Sequence, residues 1–132
     1  MKTIVFACTH NAGRSQIAAA FFNALADPIK ARAISAGTQP ASQIHPQVLA
    51  AMKEVGFELR AIPQRLTADL ARGAALLVTM GCGEECPVIP GAERQDWPIE
   101  DPKGKSAEEV RKIRDEVRRR VEQLIETERW MR

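Results

Sequence analysis

The stretch Thr3-Ile4-Val5-Phe6-Ala7-Cys8-Thr9-His10-Asn11-Ala12-Gly13-Arg14-Ser15 decides the fold. Residues 3–7 form a short apolar run rich in β-branched side chains, which predicts a buried strand. Residues 8–15 are small and polar, as in a loop. Apolar residues then recur at helical spacing until Asp27-Pro28, where the proline predicts the end of a helix. A strand, a polar loop and a helix in this order predict one β-α unit of an open sheet.

The same alternation continues along the chain. Residues 31–35 predict a second strand that closes at Gly37, and a helix is expected between Pro46 and Gly56. A brief helix over residues 69–72 is expected after Thr67. Residues 74–80 predict a central buried strand, and residues 93–97 a weaker one. Ser106 and Glu109 predict a capping box, and the helix that follows has an apolar stripe of Val110, Ile113, Val117, Val121, Leu124 and Ile125. The alternation predicts an α/β fold with a doubly wound parallel sheet.

Composition narrows the function classes. The 132 residues are 45% hydrophobic and 27% charged, as in one soluble domain spanning residues 1–132. A net charge of +2 gives no reason to expect a nucleic-acid or membrane partner, and the Arg118-Arg119-Arg120 run is interleaved with acids. The apolar runs are far shorter than the ~20 residues that cross a bilayer, and no signal-peptide pattern stands at the start. A cytoplasmic monomer is therefore expected.

The cysteine count is odd, with Cys8, Cys82 and Cys86. A chain of this length builds its own core, so three cysteines do not indicate a secreted disulfide scaffold. In a reducing compartment the three would be thiols, which either fill space or perform chemistry.

The loop from Cys8 to Ser15 favours chemistry at an oxyanion site. Backbone N–H groups and a helix N-terminus can cradle a tetrahedral anion, and Arg14 can add a two-pronged contact. The same positive field favours the thiolate of Cys8, the form that attacks. Ser15 can donate a hydrogen bond to that sulfur, while Asn11 can pin the loop and tolerates a left-handed backbone.

Two interpretations in which the cysteines have no chemical role compete with the oxyanion site. Cys8 could be a buried strand-end thiol beside a surface arginine, and Cys82 and Cys86 could be ordinary thiols at another strand end. A zinc site built from the three cysteines and His10 is disfavoured, because the spacing has no close cysteine pair. No metal is therefore expected.

The residues from Val5 to Gln16 resemble the signature loop of low-molecular-weight protein tyrosine phosphatases and of the arsenate reductases that share their fold. Ser35-Ala36-Gly37-Thr38 and Asp101-Pro102 match both groups in order and spacing. The resemblance covers essentially the whole chain. It implies a four-stranded parallel sheet in the order 2-1-3-4, flanked by helices. It also implies that Cys8 is the nucleophile, that Asp101 is the general acid, and that the oxyanion-binding loop consists of Thr9, His10, Asn11, Ala12, Gly13 and Arg14.

His10 stands where a glycine is common in that loop. A histidine there is expected either to adopt a left-handed backbone or to line the mouth of the pocket.

Two features favour the reductases over the phosphatases. The segment Met80-Gly81-Cys82-Gly83-Glu84-Glu85-Cys86-Pro87 resembles the redox segment of thioredoxin-coupled arsenate reductases, and residues 96–102 resemble their general-acid segment. The phosphatases usually have tyrosines just after Asp-Pro, whereas this chain has Lys103-Gly104-Lys105 there and no tyrosine at all. The alternatives are a phosphatase acting on aryl or small phosphates and a non-catalytic thiol sensor.

The expected reaction is the reduction of arsenate, for which phosphate or sulfate would be mimics. Cys8 would attack arsenic, Cys82 would attack Cys8, and Cys86 would attack Cys82, leaving a disulfide for thioredoxin to reduce. Residues four apart on a helix are too far apart for a disulfide, so a Cys82–Cys86 bond requires a non-helical segment, with Gly81 and Gly83 supplying freedom. The cysteines of better-known relatives are more widely separated. A small thiol such as glutathione or mycothiol is therefore the alternative reductant. No bound cofactor is expected.

Overall fold

Four parallel strands form the centre of the molecule in the computed structural model, which describes residues 1–81 and 88–132. They are β1 (Lys2–Cys8), β2 (Ala31–Gly37), β3 (Leu76–Thr79) and β4 (Glu93–Asp96). Their order in the sheet is β2-β1-β3-β4, and every neighbouring pair is parallel. The α/β fold and the strand order expected above are confirmed.

Helices form at the positions where the apolar pattern and the capping residues predict them. They are α1 (Arg14–Leu25), α2 (Pro46–Lys53), α3 (Ala68–Ala71) and α4 (Ala107–Glu128). Thr67 and Ser106 cap α3 and α4 as predicted, and Ser106 forms the complete capping box with Glu109. Within the charged run at residues 118–120, Arg119 and Arg120 pair with Glu116, whereas the guanidinium of Arg118 lies over the ring of Phe21 in α1.

The first strand is longer than the apolar pattern predicts. β1 continues to Cys8, which is the partner of Gly37 in the parallel ladder. Backbone pairing needs no apolar side chain, so the sequence pattern stops before the hydrogen bonds do. Cys8 is consequently the last residue of a central strand, with a backbone fixed by the sheet.

Alternate residues of β1 face two apolar layers. Ile4, Phe6 and Cys8 belong to the larger layer, which includes apolar side chains of α1, α2 and α4. Val5 and Ala7 belong to the smaller layer on the other face, with residues of the α3 region. Burial on both faces explains why β1 reads as a continuous apolar run.

None of the helices formed by the described residues is long and apolar enough to cross a membrane.

Candidate active site

The carboxyl ends of β1, β2 and β3 bring three segments together at one edge of the sheet. Cys8 ends β1 beside Gly37 of β2. Gly81 follows β3, and its carbonyl oxygen accepts a hydrogen bond of 3.3 Å from the hydroxyl of Thr9. Ligands of open α/β sheets bind at this edge, which is where the sequence predicts the oxyanion loop.

The segment after β2 runs along the loop between β1 and α1 and holds its carbonyl groups. Backbone N–H groups within residues 38–45 donate to the carbonyl oxygens of Cys8, Thr9, His10 and Ala12 over 2.8 to 3.2 Å. The described peptide bonds are all trans, and a trans peptide holds its N–H opposite its C=O. The following N–H groups, those of Thr9, His10, Asn11 and Gly13, therefore point away from that segment. Such N–H groups beside a helix N-terminus can hold a tetrahedral anion.

Two glycines allow this loop to pack closely. A Cβ atom on Gly37 would lie 2.6 Å from the carbonyl oxygen of Thr9, and one on Gly13 would lie 2.7 Å from Cγ of Pro102. The left-handed position of the loop is Asn11, whose φ is 50°. His10 is not left-handed, so the first of the two expectations for it is wrong. The small asparagine takes the strained position because its amide can bond locally.

The Cys8 sulfur lies inside the loop, and the residue is 1% exposed. Its Sγ is 2.9 Å from Oγ of Ser15, and Asn11 Nδ2 donates to the same Oγ over 2.7 Å. The structure thus brings Cys8, Asn11 and Ser15 into one buried hydrogen-bonded group. A hydrogen bond from Ser15 to the sulfur stabilises the thiolate, since an ionised sulfur can only accept.

Arg14 is the first residue of α1 and is 6% exposed. Its guanidinium is held by two residues of the segment before α4. Its Nη1 donates to the carbonyl oxygen of Ile99 over 3.2 Å, and its Nη2 lies 3.7 Å from Oδ2 of Asp101. Gly81 makes room for it: a Cβ there would lie 2.2 Å from Nη1, and the φ of Gly81 is +86°. The positive φ favours glycine at this position, and a larger residue could be accommodated only if the end of the Arg14 side chain moved.

Asp101 lies at the rim of this group. Its Oδ1 accepts a hydrogen bond of 3.0 Å from the backbone N–H of Lys103, and its side chain is 40% exposed. The following proline packs on Gly13. The carboxyl group thus faces both Arg14 and solvent, which is a suitable place for a group that exchanges protons with water.

Both histidines of the chain lie near this rim. The ring centroids of His10 and His45 are 6.4 Å apart, in an edge-to-face arrangement. Burial lowers the pKa of His45 below its ordinary value of 6.5, and the nearby His10 and Lys103 lower it further, whereas Asp101 opposes them. His45 also donates its backbone N–H to the carbonyl of Ala12, so the start of α2 is tied to the loop.

Cys82 and Cys86 lie outside the described residues, so their predicted positions are not tested by the structure. Among residues 1–81 and 88–132, no three histidine, cysteine or acidic side chains come close enough together to hold a metal ion.

Sequence reasoning missed three contributors to the site. They are Gly81 beside the guanidinium of Arg14, the carbonyl of Ile99, and the buried amide of Gln16, which donates to Asn11. From the sequence alone, Gly81 is expected only to make the cysteine segment flexible. Each contact joins residues through backbone atoms or side-chain amides, which leave no periodic signal in the sequence.

Comparison with known proteins places the whole chain in one family. Residues 3–129 match the model of the family described as low molecular weight phosphotyrosine protein phosphatase. A putative arsenate reductase of Halobacterium salinarum is 34% identical over 92% of this chain and 89% of its own length. The glutaredoxin arsenate reductase of a Synechocystis species is 34% identical over 95% of this chain and 97% of its own length.

Solved structures agree with these relatives. The thioredoxin-dependent arsenate reductase Cg_ArsC1' of Corynebacterium glutamicum superposes with a TM-score of 0.82 at 38% identity and covers 96% of this chain. This chain spans only 61% of that protein. An arsenate reductase in its phosphate binding state superposes with a TM-score of 0.77 at 30% identity, over 96% of this chain and 98% of the other. The family match and the relatives show that this chain belongs to the low molecular weight phosphotyrosine protein phosphatase family.

Proposed function

We propose that this protein reduces arsenate to arsenite, with Cys8 as the nucleophile. The observation that carries the proposal is the position of the Cys8 sulfur, 2.9 Å from the Ser15 hydroxyl in a loop lined by N–H groups, in a chain whose relatives are named arsenate reductases. The tetrahedral anion sits against these N–H groups and the guanidinium of Arg14. Phosphate and sulfate have the same shape and act as mimics.

The first step is a substitution at arsenic. The thiolate of Cys8 forms a bond to arsenic, and one As–O bond breaks. The departing group is an arsenate hydroxyl, which leaves as water after taking one proton from Asp101. The location of that carboxyl supports the role, since it lies 3.7 Å from Arg14 and remains 40% exposed, open to reprotonation by water.

Reduction follows by thiol–disulfide exchange. The Cys82 thiolate attacks the Cys8 sulfur, the S–As bond breaks, and its electron pair stays on arsenic, which leaves as arsenite. Cys86 then attacks Cys82, releasing the Cys8 thiolate and leaving a Cys82–Cys86 disulfide. The contact between Thr9 and Gly81 supports this order, because Gly81 immediately precedes Cys82 in the chain.

An external thiol completes the cycle, with no bound cofactor. The name of one relative includes thioredoxin and that of another glutaredoxin. We take thioredoxin as the reductant, because a disulfide between neighbouring cysteines suits a protein dithiol; glutathione or mycothiol is the alternative. The three thiols must start reduced, so we place the enzyme in the cytoplasm. We take it to act as a monomer, because the chain is small and its charges are nearly balanced.

The test is arsenate-dependent consumption of reductant with thioredoxin and its reductase, compared with a glutathione or mycothiol system. We expect turnover with wild type, none with Cys8→Ser, and loss of multiple turnovers with Cys82→Ser and Cys86→Ser. Normal turnover by Cys8→Ser would exclude Cys8 as the nucleophile. Wild-type rates in both other variants would exclude the relay.

The same variants distinguish the two alternatives. A phosphatase would hydrolyse an aryl phosphate at full rate in Cys82→Ser and Cys86→Ser and would consume no reductant with arsenate. A thiol sensor would turn over neither substrate, although Cys8 would still oxidise readily.

A further inference from the structure

We infer that Gln16 is a positioning residue for the nucleophile, acting on Cys8 through Asn11 and Ser15. The inference rests on the proposed role of Cys8. Gln16 lies in the first turn of α1 and is 4% exposed. Gln16 acts by fixing the direction of each hydrogen bond in the buried group of Cys8, Asn11 and Ser15.

A backbone group fixes the orientation of the Asn11 amide. The N–H of Gln64 lies 2.9 Å from Oδ1 of Asn11, and a backbone N–H can only donate. The atom facing Gln64 is therefore the amide oxygen, and the Asn11 amide nitrogen faces Ser15. Gln64 is itself held in place, because its side chain donates to the carbonyl of Ser35 over 2.9 Å and its own carbonyl accepts from Gly37.

The orientation of Asn11 determines the hydrogen bond to the sulfur. Asn11 Nδ2 donates to Ser15 Oγ over 2.7 Å, so this oxygen is an acceptor on that side. The hydroxyl hydrogen of Ser15 is then free to point at Cys8 Sγ, 2.9 Å away. With the Asn11 amide reversed, its oxygen would compete with the sulfur for that hydrogen.

The side chain of Gln16 holds both the backbone and the side chain of Asn11. Nε2 of Gln16 donates to the carbonyl oxygen of Asn11 over 3.1 Å and lies 3.3 Å from its Oδ1. Asn11 has a φ of 50°, a left-handed conformation that asparagine tolerates better than most L residues but that still costs energy. The hydrogen bonds from the Gln16 amide help to hold this conformation from inside the protein.

Gln16 acts from the side of the loop away from the anion. With Ser35 and Gln64 it lines a separate cavity of about 320 Å³, whose walls include neither Cys8, Arg14 nor Asp101. A change at Gln16 should therefore alter the reactivity of the sulfur without removing any contact to the oxyanion.

The test replaces Gln16 by an isosteric acceptor. Gln16→Glu puts a carboxylate oxygen where the amide hydrogens were, facing the two Asn11 oxygens. The matched control is Gln47→Glu, because Gln47 is an exposed glutamine in the first turn of α2 and the added charge meets a comparable helix dipole. Gln16→Met removes the donor without adding a charge and serves if Gln16→Glu fails to fold, as judged by circular dichroism.

One rate and one concentration distinguish a positioning role of Gln16 from damage to the oxyanion loop. We expect the rate of Cys8 alkylation by iodoacetate at neutral pH, followed by peptide mass spectrometry, to fall about tenfold in Gln16→Glu or Gln16→Met. The concentration of inorganic phosphate that half-protects Cys8 should stay within about twofold of wild type, and Gln47→Glu should match wild type in both. An unchanged alkylation rate, or a parallel loss of phosphate protection, would overturn the inference.

A double-variant cycle tests the route through Asn11. Asn11→Asp keeps the acceptor toward Gln64 but cannot donate to Ser15, so the Gln16 change should have little further effect in that background. Additive losses would show that Gln16 acts by another path. Both measurements use the free thiol, so they stand even if the protein does not reduce arsenate, an outcome that would contradict only the proposed function.

Discussion

Replacing Gly81 by alanine should displace the guanidinium of Arg14 from its position in the oxyanion site. An alanine Cβ would lie 2.2 Å from Nη1 of Arg14 and 3.1 Å from its Cζ. Moving Nη1 to an ordinary contact of 3.4 Å requires a retreat of about 1.2 Å. A displacement of that size breaks the alignment of two parallel N–H···O bonds with an oxyanion.

The expected loss can be sized from the contacts. A hydrogen bond to a charged group contributes about 1.5 to 3 kcal/mol, so losing one of the two bonds should weaken phosphate binding by about 10- to 100-fold. The variant should also lose about 1 kcal/mol of unfolding free energy, because alanine is disfavoured at a φ of +86°.

The assay is the dissociation constant of inorganic phosphate measured by calorimetry, together with urea unfolding. Gly91→Ala is the matched control, since Gly91 has a φ of +82° and nothing lies within 4 Å of its added Cβ. We expect similar destabilisation in both variants and weakened phosphate binding in Gly81→Ala alone.

Wild-type phosphate affinity in folded Gly81→Ala would refute this reasoning, because Arg14 would then bind the anion from some other position. Equal weakening in Gly91→Ala would trace the effect to general destabilisation.

Three further predictions concern the acid, the rim and the last helix. Asp101→Asn should slow arsenate turnover about 100-fold while phosphate affinity changes little, because the amide cannot donate a proton to the departing oxygen; stopped-flow and calorimetry check the two parts. Because burial lowers the pKa of His45, the folded protein resists its protonation, so stability is full above the ordinary value of 6.5 and falls as pH drops below it. In His45→Gln, Tm should therefore fall less steeply as the pH drops below 6.5. A decline of Tm identical to that of wild type would show that His45 is not its cause. Ser106→Ala removes the hydroxyl that caps α4 and should lower the unfolding free energy by about 1 kcal/mol in urea titrations, with no change in phosphate affinity.

Most of the fold can be predicted from the sequence, because the patterns that specify its helices and strands are local. The apolar run of β1, the capping residues Thr67 and Ser106, and the apolar stripe of α4 each act over a few residues, and the structure has the predicted elements there. The extension of β1 to Cys8 cannot be predicted from its apolar run, because pairing between Cys8 and Gly37 depends on two segments meeting.

The candidate active site likewise has one part that the sequence predicts and another that it does not. The spacing of Cys8, Arg14 and Ser15 lies within one β-α unit, so the sequence predicts their proximity and the structure brings them together. Gly81 and Gln64 reach the same loop from distant parts of the chain. Their contacts use backbone atoms and amides, whose geometry exists only after the sheet has formed.

The hydrogen bonds that join residues 38–45 to the oxyanion loop also provide a way to watch that loop. The amide hydrogens of Gln39, Ala41 and His45 are held by loop carbonyls, so each can exchange with solvent only when its bond opens. Their exchange rates thus follow loop opening, and they would slow when an anion locks the loop shut. Deuterium uptake over residues 38–45 can therefore detect occupancy through amides outside the anion cradle, with no label on the catalytic thiol.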